Sequence, residues 1–136
     1  MHPNRFYGIV MRTSGIEDQD RAERATAAVL QTLRKRLTFE ESEQVAAQLP
    51  VALKAVWGQG EGSPREPMRI GLAEFFARVR HEAGLGADAE ARWATLGVFA
   101  ALKDQLSFGE AEDVLAQLPG ALKELWAEAQ SVGRVA

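Results

Sequence analysis

A nine-residue stretch, Leu49-Pro50-Val51-Ala52-Leu53-Lys54-Ala55-Val56-Trp57, returns 69 positions later as Leu118-Pro119-Gly120-Ala121-Leu122-Lys123-Glu124-Leu125-Trp126. At that offset residues 23–57 align without a gap on 92–126, and 17 of the 35 positions are identical. The identities include Ala25/Ala94, Thr26/Thr95, Val29/Val98, Leu33/Leu102, Leu37/Leu106, Phe39/Phe108, Glu41/Glu110 and Glu43/Glu112. A sparser match continues upstream through Phe6/Phe75, Val10/Val79 and Gly15/Gly84. Self-similarity at one fixed period marks a duplicated structural unit, so any fold proposed for one copy must also suit the other. Half of a 136-residue chain is too short to bury a secure core by itself, so the copies are expected to share one.

Within the unit the apolar residues recur at helical spacing. Phe6, Ile9, Val10 and Thr13 fall at i, i+3, i+4 and i+7, which predicts a first helix from Pro3 to Thr13 with Gly15 as its left-handed stop. Its second copy reads Leu72, Phe75, Phe76, Val79, Ala83 and then Gly84, with a start expected at Pro67. A long helix follows at about 18–37 and 88–106, with Asp18 and Asp88 as expected N-caps. One stripe of it carries Ala22, Ala25, Thr26, Val29, Leu30, Leu33 and Leu37; the other carries Ala91, Ala94, Thr95, Val98, Phe99, Leu102 and Leu106. Gly97 inside this helix costs about 1 kcal/mol against alanine, a cost that a close helix crossing would justify.

The third helix opens on Thr38-Phe39-Glu40-Glu41 and Ser107-Phe108-Gly109-Glu110, both of the S/T-x-x-E capping pattern. Its expected buried face comprises Phe39, Val45, Ala46 and Leu49, with Phe108, Ala111, Val114, Leu115 and Leu118 in the second copy. The proline then ends it and opens a short fourth helix, anchored by Leu53, Val56 and Trp57 or by Leu122, Leu125 and Trp126. The expected fold is all-α: two tandem four-helix repeats packed as one bundle-like domain with pseudo-symmetry. Repeat 1 covers 1–57, a Gly/Pro linker 58–67, repeat 2 68–126, and a fraying tail 127–136. A twofold and a translation between the halves are both compatible with the sequence.

The long Ala/Leu helix, the L-S/T-F-x-E-x-E segment and the doubled L-P-x-A-L-K-x-x-W terminus resemble the bacterial domain of unknown function family 2267. The resemblance runs from about Phe6 to Trp126. It implies an all-helical fold of two similar halves. It implies no activity and gives no residue a role.

A formal charge of −3 and a pI near 5.4 argue against a dedicated nucleic-acid binder. There is no cysteine for thiolate chemistry, and no run approaches the ~18 apolar residues of a membrane span. With no apolar signal core at Met1 to Phe6, a cytoplasmic location is expected. Glu41 with Glu43, and Glu110 with Glu112, suggest paired acids or metal ligands, but residues two apart on a helix do not face each other. Glu41 and Glu110 are instead expected to serve the caps. His2 and His81 lie in dissimilar contexts, and His81, off the apolar stripe, is expected in solvent. Arg34-Lys35-Arg36 suits the negative end of a helix dipole and is expected as a solvated helix end; copy two reads Lys103-Asp104-Gln105. A helix-turn-helix reading of the Leu-Pro break fails because its second helix offers only Lys54 or Lys123.

No catalytic, cofactor-binding or metal-binding residue is therefore assigned, and no cofactor is expected. The expected function is a non-catalytic helical module acting through an unknown protein partner or as a homo-oligomer, without nucleic acid or membrane. The alternative is a carrier of a small apolar ligand held between the halves.

Overall fold

The computed structural model describes residues 3–59 and 66–130, with side chains from Arg5 onward. These residues form eight α-helices and no strand. They are α1 (Pro3–Ser14), α2 (Gln19–Arg36), α3 (Phe39–Ala47), α4 (Val51–Trp57), α5 (Leu72–Ala83), α6 (Asp88–Gln105), α7 (Phe108–Ala116) and α8 (Gly120–Glu128). α1 to α3 start and stop at the same offset of 69 as α5 to α7, and α4 and α8 share their start.

The packing crosses the halves. α1 makes its most extensive contact with α6, the long helix of the other copy, and α5 in turn lies on α2. Phe6, Ile9 and Val10 are fully buried on one side of this arrangement, Phe75 and Val79 on the other. At the α1–α6 crossing a β-carbon on Gly97 would stand 2.8 Å from the Val10 carbonyl oxygen. That crossing is closer than any side chain allows, and it explains a glycine inside a helix. Arg5 ties the same two helices with a bidentate pair to Asp104 (3.0 and 3.0 Å). The equivalent positions in the other copy hold Glu74 and Lys35, the same charges exchanged.

The short helices are anchored as their tryptophans suggest. Trp57 and Trp126 are both buried. The Trp57 Nε1–H donates to the Ser42 carbonyl (2.9 Å), while Trp126 meets Phe99 edge-on at 5.0 Å. One cation from each long helix crosses to the end of the short one. Arg34 donates to the carbonyls of Trp57 and Gln59 (2.7 Å each), and Lys103 to those of Trp126 and Ala129 (2.8 Å each). Helix ends leave carbonyls without intrahelical donors, and these side chains fill that need. Arg34 is therefore only 4% exposed, not the solvated end that its basic neighbours suggested.

Four local readings are corrected. Ala87, not Asp88, is the N-cap of α6; Asp88 enters the first turn and pairs with Arg80 (3.1 Å). α5 begins at Leu72 rather than near Pro67, because the intervening backbone is drawn onto α2 by the bond from Met68 N–H to the Lys35 carbonyl (2.8 Å). Phe108 is 82% exposed although its i+3 neighbour Ala111 is buried with Val114, and Phe39 at the same position of α3 is half-buried, so the helix position alone does not set its burial. At the other end α8 runs to Glu128 and Ala129 is buried, so the fold continues past Trp126. Residues 60–65 of the expected linker and 131–136 of the expected tail lie outside the described residues.

Candidate functional site

The halves face each other at both ends of the long helices. Arg21 and Glu90, one turn into α2 and α6, approach to 3.9 Å, and the helices that follow, α3 and α7, also meet. α2 and α6 thus run side by side in one direction, with a candidate site at each end.

At the first end the stop glycines shape the walls. Gly15 (φ 82°) closes α1 by donating its N–H to the Met11 carbonyl (2.9 Å). Gly84 (φ 68°) closes α5, and Leu85 N–H reaches back to the Arg80 carbonyl (2.9 Å), a Schellman ending. The residues just after the glycines, Ile16 and Leu85, are half-buried and lean on the core. Between them opens a groove of about 520 Å³, completed by Glu17, Asp18, Arg21, Ala89, Glu90 and Trp93 among others. Trp93 is 50% exposed, and the Arg92 guanidinium lies 5.9 Å from its ring centre while also pairing with Glu128 (2.9 Å). Three carboxylates against the single Arg21 give the groove a negative balance. A half-exposed indole among aliphatic walls and carboxylates can hold an apolar group with a cation beside it.

At the other end α3 and α7 bring two acids together. Thr38 Oγ1 and Ser107 Oγ accept from the N–H of Glu41 and Glu110 (3.1 Å each), as the capping pattern requires. The return half of the pattern is not made by the glutamates. The Thr38 N–H donates to Gln117 Oε1 (2.9 Å) and the Ser107 N–H to Gln48 Oε1 (2.8 Å), each glutamine reaching over from the other half. Glu41 and Glu110 are thereby released from the caps and turn toward each other, 6% and 7% exposed. The Glu41 carboxyl is pushed up to about 8, by burial first, then by its hydrogen bond to Glu110 and the charges of Glu110 and Asp113. Oxygens of Glu41, Glu110 and the exposed Asp113 lie within 4.8 Å of one another.

The profile of a family described as "Uncharacterized conserved protein (DUF2267)" matches residues 3–125. The chain belongs to this family. The DUF2267 match spans α1 to α7 and most of α8, so both the groove and the acid pair lie inside it. No curated protein matches the chain.

Glu43 and Glu112 are exposed and pair with neither Glu41 nor Glu110, while the capping role expected of the Glu41 and Glu110 carboxylates is taken by Gln117 and Gln48. Glu110 becomes a neighbour only when the halves close. Apolar spacing alone gives Trp93 no role, although one signal in the sequence points to it. It stands off the stripe of Ala91, Ala94, Thr95 and Val98, where a surface helix carries polar residues, and its counterpart is Arg24. His81 is exposed, as its place off the stripe implies.

Proposed function

We propose that this protein is a non-catalytic helical module whose groove between the starts of α2 and α6 receives part of another protein. The observation that carries this reading is Trp93, half out of the surface beside Ile16 and Leu85. Indoles in such positions are the residues on which interfaces concentrate their binding energy. The negative balance of Glu17, Asp18 and Glu90 defines the partner's chemistry as an apolar side chain next to a lysine or arginine. A bacterial, cytoplasmic setting goes with this reading, and cell fractionation tests it.

The module is further read as the product of duplication, its halves related by a twofold. Support comes from contacts that exchange under the offset: α1 on α6 with α5 on α2, and Gln117 on Thr38 with Gln48 on Ser107. A translation would instead place α5 on a helix following α8, not on α2.

Selection of displayed peptides on the full chain tests the groove. The expected winners carry an aromatic or aliphatic residue flanked by a basic one, and lose binding to Trp93→Ala. Winners that bind Trp93→Ala equally well would overturn the reading. The alternative, a small apolar ligand in the same seam, is supported by the aliphatic walls of the groove. It predicts saturable uptake of a neutral apolar dye that is blocked by a bulky Ala89→Trp, with no basic-residue preference among peptides.

A further inference from the structure

We propose that Glu41, Glu110 and Asp113 hold one hard divalent cation, calcium or manganese, at the crossing of α3 and α7, so that a single ion joins the two halves. The three residues each present a carboxylate oxygen, all within 4.8 Å of one another. Two oxygens on opposite sides of a calcium ion at about 2.4 Å are separated by about 4.8 Å, so the cluster has the span of one coordination sphere. A second observation points to a positive guest. Glu41 and Glu110 are each more than nine-tenths buried, and the Oε2 of each is cut off from water with no donor from the described residues directed at it. Buried carboxylates are normally met by arginine, lysine or backbone N–H. Here they meet each other, and the space between them calls for a positive charge.

The donor set decides the kind of ion. It is all oxygen, without imidazole or thiolate, which favours calcium and manganese over zinc or copper. Magnesium sits closer to its ligands and demands a stricter octahedron, so it ranks below them. Asp113 is exposed, which gives the ion a path in and room for water to complete its shell. Glu110 and Asp113, three apart, share one face of α7, while Glu41 comes from the other half. An ion bound there holds α3 against α7 directly. The site stands at the opposite end of the long helices from the groove, and neither proposal depends on the other.

The test is calorimetric titration of chelator-treated full-length protein with calcium chloride, repeated with manganese followed by its electron paramagnetic resonance. The expected result is one ion per chain and a higher melting temperature in its presence. Glu110→Gln and Asp113→Asn are each expected to weaken binding by about tenfold or more, while Glu112→Gln, on the exposed face of α7, leaves it unchanged. Asp113 is at the surface, so its variant reports on the ion even if Glu110→Gln disturbs the fold. Absence of saturable binding by either ion, or binding that Asp113→Asn leaves intact, would overturn the assignment.

Discussion

A glutamate three residues behind a capping threonine or serine ordinarily folds its carboxylate back onto the cap N–H. In this protein glutamines from the opposite half occupy both of those N–H groups, and the displaced Glu41 and Glu110 carboxyls are pressed together instead. The consequence at the residue scale is a proton held where it would ordinarily be lost. Folded Glu41 keeps its proton to about 8 against an ordinary 4.5, so folding binds the proton more tightly. The associated stabilisation is complete below the ordinary value and fades as pH rises through about 8. Metal-free protein is therefore expected to lose up to a few kcal/mol between about pH 5 and pH 9 in urea unfolding. Glu41→Gln, which supplies a neutral donor at the same place, is expected to flatten that profile and to exceed wild type at the alkaline end. Parallel profiles for the two proteins would mean that the pair does not share a proton.

Each helix is positioned by features that a single helix cannot show. Gly97→Ala gains about 1 kcal/mol of helix propensity, yet its β-carbon would meet the Val10 carbonyl at 2.8 Å. Overpacking of this kind costs about 1–3 kcal/mol, and backbone cannot swing aside as a side chain does. The variant is expected to melt below wild type, even though the first copy carries Ala28 at the same position. A higher melting temperature would show that α1 does not approach α6 this closely. At the caps, Thr38→Ala and Ser107→Ala are each expected to cost about 1 kcal/mol for the lost bond to the Glu41 or Glu110 N–H. Gln48 also donates to Ser107 Oγ and Gln117 to Thr38 Oγ1, so combining Ser107→Ala with Gln48→Ala is expected to cost less than the sum of the two. The helices and their stop glycines were legible because spacing and φ preference are local properties. The start of α5 and the direction of Phe108 were not, since one depends on a bond to α2 and the other on which neighbour a first turn meets.

For the molecule as a whole, the exchange of first helices makes the halves interdependent. A fragment of residues 1–59 would carry α2 without α5, and residues 66–136 would carry α6 without α1. Neither fragment is expected to melt cooperatively as a monomer, whereas mixing them is expected to restore the helical signal and the cooperative transition in circular dichroism. A monomeric fragment with its own sharp transition would show that each half is a domain. Sequence alone determined the all-helical class, the period of 69, the buried tryptophans and the tight place at Gly97, because each follows from spacing along one chain. Only the tertiary structure decided that α1 crosses to α6, that Arg34 is buried, that Glu41 faces Glu110 and that Trp93 edges a groove. A repeat records which surfaces are apolar in each copy, but two identical apolar faces can pair within a copy or between copies. That choice rests on contacts between residues far apart in the chain, which no local pattern encodes.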